Sequence, residues 1–369
     1  MRLESRQIVS PDALELYLTA SPDPSADPAG EARQMFAAIT HEASRRGGRI
    51  LQQRIFAPEG CLDAYRQAWR AAGGQGPTGC PGNWLFTAAG APGGVQAHVV
   101  VGPKEWTPLL DRAGAPAGWA CRSGPMRWAA TGGVCLPRAA DDAETARQAF
   151  QAGEHLLAQA QMGLGDVART WCYIEGMLSW YGLFNKGRND VFRQRGLLGD
   201  PAAGGASVPA STGVGAAPAQ GRLAIEFFAV GGKQGCIERR QSAGKQKSAY
   251  DYGSAFARAS QAITPAGRTV FVSGTAAIDE AGQSCFIGDG PRQIRMTLDC
   301  VQAVLADMQC APTDVVQAIA YCKTPEVAAQ FTKDFQSTVP WPWMVVLCDI
   351  CRDDLLFEVE ATAGRPLNR

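Results

Sequence analysis

At 369 residues the chain is long enough for two or three compact units and a full hydrophobic core. Its 35 Lys and Arg match its 35 Asp and Glu, so no overall field draws it to nucleic acid or to an anionic membrane, which argues against a dedicated nucleic-acid binder. With 46% hydrophobic and 19% charged residues, wholesale disorder is excluded as well.

In chain order, LELYLTAS (14–21) reads as a strand, EARQMFAAITH (31–41) as a helix, and ILQQRIFAP (50–58) and GVQAHVVVG (94–102) as strands. RWAATGG (127–133) is a strand ending in a glycine turn, and the stretch from 146 to 174 reads as helix, turn, strand. In WYGLFNKGRNDVF (180–192), Tyr181, Asn185 and Arg188 recur at i, i+4 and i+7, a polar stripe that either faces solvent or lines a site. The Gly-, Ala-, Pro- and Ser-rich stretch 196–221 is expected to be a flexible surface loop away from any chemistry. RLAIEFFAV (222–230) is a strand. The connection 231–256 is basic, with Lys233, Arg239, Arg240, Lys245 and Lys247, and is either a solvated linker or the lining of an anion site. VFVSGTAAI (270–278), a helix carrying Leu298, Val301, Val304 and Leu305, and the strands VVQAIAYC and LLFEVEATA (355–363) complete the chain.

An internal repeat organises these elements. A constant shift of 148 residues carries Leu157 onto Leu305, Asp166 onto Asp314, Val167 onto Val315 and Tyr173 onto Tyr321, and each Asp can cap a short turn before an apolar strand. A fainter copy, shifted by 114, aligns 31–41 with 145–155. One unit is therefore strand, strand, helix, strand, strand. The expected domains are 1–115, a diverged unit in which a strand is expected to be missing, then 116–235 and 236–369. The fold class is α+β: three sandwich units with helices on one sheet face, forming an intramolecular pseudo-trimer in a monomer.

No apolar run reaches the roughly 18 residues that cross a bilayer, and MRLESRQIVS lacks a signal peptide's apolar stretch, so a cytoplasmic location is expected. The twelve cysteines are scattered, several within apolar segments (Cys135, Cys172, Cys322, Cys348), as reduced buried thiols are. With only His41, His98 and His155, and with Cys348 and Cys351 at an odd spacing in a strand-like run, no metal site and no cofactor are expected.

In LLFEVEATA the alternation puts Phe357, Val359 and Ala361 on one face and Glu358 and Glu360 on the other. If the second face looks into the middle of the assembly, Glu358 is desolvated and suited to general acid work; otherwise it is a solvated rim carboxylate. A hairpin of MVVLCDIC and LLFEVEAT about 352–355 would set Cys351 opposite Glu358. Unit two carries Glu226 as the counterpart of Glu358, whereas unit one has Ala97 and His98 there and no acid, so one working cleft is expected, where Glu358 meets the 181–188 helix or the 240–258 connection.

The triplicated unit resembles the RidA/YjgF family (chorismate-mutase-like α+β sandwiches), most clearly over 268–363, and that family places ligands in the clefts between protomers. The whole chain looks like the chorismatases, which fuse such units and remove pyruvate from chorismate; RTWCYIEGMLSWYGLFNKGRNDVF (169–192), YGSAFARAS (252–260), SGTAAI (273–278) and CRDDLLFEVEA (351–361) carry the likeness. The resemblance implies that Glu358 is the acid, that Cys351, seven residues earlier, steers the product toward 3-hydroxybenzoate, and that a small facing-strand residue, placed at Gly274, tunes the site. It also implies cations for the two substrate carboxylates: Arg258 first, Arg188 beside Tyr181 and Asn185, then Arg240. The alternatives are a hydrolytic chorismatase, a RidA-like imine deaminase, which fusion of three diverged units argues against, and a non-catalytic small-ligand binder.

Overall fold

Three times along the chain an antiparallel hairpin is followed by a long helix, a strand, a second helix, a short strand and a long closing strand. A computed structural model describes residues 1–23, 27–74, 79–88, 91–136, 139, 141–199, 206–244, 246, 248 and 253–367. Unit one comprises β1 (Arg2–Val9), β2 (Leu14–Ser21), α1 (Pro28–Arg45), β3 (Arg49–Pro58), α2 (Leu62–Ala71), β4 (Asn83–Thr87) and β5 (Gly94–Val101). Unit two comprises β6 (Glu105–Leu110), β7 (Pro116–Ser123), β8 (Met126–Thr131), β9 (Val134–Cys135), α3 (Asp142–Ala158), β10 (Val167–Ile174), α4 (Tyr181–Gln194), β11 (Ala210–Val214) and β12 (Leu223–Gly231). Unit three comprises β13 (Ile237–Arg240), β14 (Ala259–Thr264), β15 (Gly267–Ala276), α5 (Gly290–Asp307), β16 (Val315–Cys322), α6 (Pro325–Gln330), β17 (Trp343–Leu347) and β18 (Phe357–Pro366).

The sheets have five, seven and six strands and share one inner order, seen in unit one as β1-β2-β5-β3-β4. In each, the closing strand lies between the hairpin and the strand after the long helix, and the short strand adds in parallel at the edge. The α+β sandwich reading holds, with two corrections. Each unit has a further helix and a parallel strand that the strand, strand, helix, strand, strand pattern omits, and unit one lacks no strand of the common order. The second sheet starts at Glu105, upstream of the 115/116 boundary read from the sequence.

The repeat has a local physical cause. Each long helix begins at an Asp side chain that accepts backbone N–H groups of its first turn: Asp27 from Gly30, Asp141 from Glu144, and Asp289 from Arg292. Asp166 and Asp314, the pair matched by the 148-residue shift, accept the N–H groups of Gly163 and Ala311 at 2.9 and 2.8 Å and close identical turns into β10 and β16. The outer sheet faces bury apolar side chains under α1, α3 and α5 in separate cores. The inner faces merge into one cluster that takes Phe56 and Leu85 from unit one, Trp171, Tyr173 and Phe228 from unit two, and Phe271, Tyr321 and Met344 from unit three.

Contacts between units run in a cycle: β11 against β15, β16 and β17 against β2, and β3 against β7 and β8. At the first seam the Ser211 N–H donates to Ser273 Oγ at 2.8 Å and the Gly274 N–H to Thr212 Oγ1 at 3.0 Å. At the second, Gln317 Nε2 donates to the Leu18 carbonyl at 3.1 Å. At the third, Asn83 Nδ2 donates to Glu226 Oε1 at 2.7 Å. All twelve cysteines are free thiols, and among the described residues no helix is long and apolar enough to cross a membrane.

Candidate active site

The alternation in β18 holds: Phe357, Val359 and Ala361 lie in the third helix-side core, and Glu358 and Glu360 point inward, each 4% exposed. Glu358 pairs in register with Tyr321 and Ala276, and Glu360 with Ile319. The 148-residue shift equates Ile319 with Trp171, and Trp171 faces Glu226. Glu226 is therefore the counterpart of Glu360, not of Glu358 as the sequence alone suggested, and unit one has Gln96 at that level, opposite Arg54. At the level of Glu358 itself the other units carry Ala224 and Gly94. A Cβ on Gly94 would meet Met344 Cε at 2.9 Å, so that seam is filled by side-chain packing.

Glu226 and Glu360 anchor a buried ion network where the three units meet. Glu226 accepts from Arg54 Nε at 3.1 Å, Gln52 Nε2 at 2.5 Å and Asn83 Nδ2. Glu360 accepts from Arg169 Nη2 at 2.9 Å and Trp171 Nε1 at 3.0 Å, and Arg54 Nη1 lies 3.7 Å from it. Arg169 Nη2 also reaches Thr212 Oγ1.

Between units two and three lies a cavity of about 200 Å³. Tyr181, Asn185 and Arg188 of α4, at their helical spacing, line one side with Ser211 and Gly213 of β11. Unit three supplies Phe256, Arg258, Gly274, Ala276, Cys351 and Glu358. The structure thus brings together every residue selected from the sequence except Arg240. The Arg240 side chain is 55% exposed and pairs with Glu238 at 2.5 Å, because β13 is an edge strand; only its carbonyl reaches the region, accepting the Arg258 N–H at 2.8 Å. Arg239 in turn binds the carbonyls of Gly165 and Val167, tying unit two to unit three, while Lys245 and Lys247 lie outside the described residues.

Arg188 is 2% exposed and donates from Nη2 to Asn185 Oδ1 at 2.6 Å. Its guanidinium carbon lies 5.9 Å from the Phe256 ring centroid, and that of Arg258 lies 5.3 Å from the same ring. Phe256 therefore adjoins both cations, a contact that favours charge held out of water. A Cβ on Gly274 would stand 2.0 Å from Glu358 Oε1, so the missing side chain is what gives the carboxyl its seat.

Burial pushes the Glu358 carboxyl up to about 8, reinforced by the Glu360 charge and opposed by Arg169 and Arg258. The same burial, with Glu358 beside it, pushes the Cys351 thiol up to about 12, so it stays a thiol at neutral pH. Burial likewise raises Tyr181. Among the described lining residues, Glu358 is the one carboxyl, and no imidazole is present.

Two sequence readings are corrected here. The expected hairpin does not form: β17 ends at Leu347 and pairs in parallel with β16, while β18 pairs with β15 and β16. Cys351 and its CxxC partner Cys348 lie beyond the strand, and a bend in the following loop, not cross-strand register, sets Cys351 beside Glu358. The 196–221 stretch is not a loop remote from the site, since it contains β11 and supplies Ser211, Thr212 and Gly213. Their small side chains allow the close approach of Gly274 and of the Tyr181 ring, 3.5 Å from the Cβ position of Gly213. Ser254, Phe256, Ile278 and Arg352 also line the cavity without having been picked from the sequence. Arg352 directly follows Cys351, and Ala276 faces Glu358 in register, so both were within reach of a correct pairing.

Residues 253–364 match the Endoribonuclease L-PSP family, a RidA/YjgF-like domain coinciding with unit three. No curated protein sequence matches the chain significantly. A chorismatase crystal structure is similar over 98% of this chain and 98% of its own, with 19% identity and a TM-score of 0.61, which establishes a common fold over the whole length. Single-unit structures also match: the protein YJGH (23% identity, 36% of this chain, 100% of its own, TM-score 0.29) and the Rid-family protein YyfA of unknown function from Yersinia pestis (17%, 35%, 98%, 0.28).

Proposed function

We propose that the chain is a chorismatase that releases pyruvate from chorismate and yields 3-hydroxybenzoate, with Glu358 as general acid. The observation that carries this reading is a carboxyl held protonated near neutral pH in a cleft with two arginines, Arg188 and Arg258. The full-length likeness to a chorismatase fold supports it.

Chorismate has two carboxylates and an enolpyruvyl ether. Arg188 and Arg258 would hold the carboxylates, since an anion in a buried cleft needs fixed charge-assisted donors. Glu358 gives its proton to the enolpyruvyl methylene, the vinyl carbon becomes an oxocarbenium ion, and the ether bond weakens. Hydrolysis at this point needs a base to activate water. The described lining residues offer no second carboxylate or imidazole, and Cys351 is a neutral thiol. Participation of the substrate's own ring hydroxyl followed by aromatisation needs no water: chorismate has the summed composition of 3-hydroxybenzoate and pyruvate. The Cys351 thiol, beside Glu358, fills the space where a water would attack.

Incubation of the protein with chorismate, with enzymatic detection of pyruvate and chromatography of the acids, tests this. One pyruvate and one 3-hydroxybenzoate per chorismate is the expected result. A dihydroxycyclohexadiene acid would assign the hydrolytic branch, and intact chorismate would remove the proposal, leaving imine deamination or ligand binding.

A further inference from the structure

A general acid in a cleft with arginines has a physical problem: a guanidinium that pairs with it strips its proton. The arginine under Glu358 is Arg169, buried on β10 at 1% exposure. One of its nitrogens, Nη2, is shared between Glu360 and Thr212 Oγ1; the other, Nη1, has no hydrogen-bond partner among the described residues. Thr212 in turn receives the Gly274 N–H, and Gly274 sits against the Glu358 carboxyl. Arg169 is thus one side chain away from the acid with an N–H to spare, yet its ion pair is with Glu360.

We propose that Glu360 is a positioning residue: by engaging Arg169 it keeps that guanidinium from pairing with Glu358 and so reserves Glu358 as a proton donor. This deepens the chorismatase reading and rests on it for its catalytic meaning. The charge count supports it. Arg54 and Glu226 form one pair and Arg169 and Glu360 the other, so the centre is neutral with Glu358 protonated. Neutralising Glu360 leaves one surplus positive charge, and Glu358 is the nearest group that can release a proton. The groups facing Glu358 from the surrounding elements are Glu360 on its own strand, Arg169 on β10, Tyr181 and Arg188 on α4, Arg258 before β14, and Cys348, Cys351 and Arg352 after β17. Of these, Glu360 is the one other carboxylate. Its homologous place in unit two, Glu226, serves Arg54 in the same way, although no acid stands two residues before it; the pair came with the repeat, and unit three adds Glu358 beside it.

The test compares Glu360→Gln with Arg169→Gln. Two readouts are taken: the descending limb of kcat/KM with pH, and, in the unliganded protein, the infrared carbonyl band of the protonated carboxyl, assigned in each background by its loss on Glu358→Gln. With Glu360→Gln, limb and band should titrate roughly one to two pH units lower, as expected for one buried charge a side chain away at the effective dielectric of proteins. With Arg169→Gln they should move the other way. Opposite shifts are not produced by a merely structural pair, and either variant decides the matter if the other does not fold. A folded variant whose band titrates as in the parent overturns the proposal. Because the band is read without chorismate, a shifted band with no pyruvate release would sustain the Glu360 role and refute the chorismatase reading, and pyruvate release with an unmoved band would do the reverse.

Discussion

Replacing Gly274 by alanine should cripple turnover while leaving a folded protein. The backbone at Gly274 is not left-handed, so alanine meets no conformational penalty, and the whole effect comes from contact. The new Cβ would lie 2.0 Å from Glu358 Oε1 and 3.2 Å from Thr212 Cγ2. Ordinary contact requires the carboxyl to retreat by about 1.2 Å, and Thr212, hydrogen-bonded to both Arg169 and the Gly274 N–H, blocks the other direction. A displacement of that size at a proton donor costs about 100-fold in rate, whereas overpacking costs about 1–3 kcal/mol of stability. Steady-state pyruvate release and thermal unfolding of the variant together measure both. A kcat within a few-fold of the parent enzyme would mean that Glu358 need not occupy this seat to act, and the geometric argument would fail.

Glu358→Gln should lower turnover by roughly 10²–10⁴-fold with binding retained, measured by single-turnover kinetics and calorimetry. Activity of the parent should fall as pH rises through about 8, where Glu358 loses its proton. Because this carboxyl's folded value lies above the ordinary 4.5, its contribution to stability is whole below that pH and is lost as pH rises through about 8; pH-dependent denaturation should show this in the parent and not in Glu358→Gln. Arg258→Ala should raise KM more than it lowers kcat, and unchanged constants would move the carboxylate site to Arg188. Cys351→Ala should keep pyruvate release and divert product toward the dihydroxycyclohexadiene acid, since a thiol raised to about 12 is no nucleophile at neutral pH; an unaltered 3-hydroxybenzoate fraction would refute the steering role.

The repeat was legible because it is written in capping chemistry and helix periodicity: Asp166 and Asp314 close equivalent turns, and α3 and α5 begin 148 residues apart. Glu358 was legible because strand alternation leaves one inward set, and Tyr181, Asn185 and Arg188 because a helix repeats every 3.6 residues. What failed was tertiary pairing. Alternation says which face a residue takes but not which strand lies beside it, so β17 was given to the wrong neighbour and Glu226 was equated with the wrong glutamate. The stretch containing β11 failed for a different reason. Ala210, Ser211, Thr212 and Gly213 are small because β15 and Tyr181 press against them, and composition alone reads small buried residues as a linker. Arg240 shows the converse, a cation in the right segment whose edge-strand position turns its side chain to solvent.

The measurement that bears most directly on the central claim is the origin of the third hydrogen of the pyruvate methyl group. If Glu358 protonates the enolpyruvyl methylene, turnover of chorismate in deuterium oxide, with pyruvate reduced as it forms to prevent later exchange, gives a product carrying one deuterium at that methyl, and Glu358→Gln abolishes its formation. A methyl group free of deuterium would show that its hydrogen comes from the substrate rather than from an exchangeable acid, and would contradict the role assigned to Glu358.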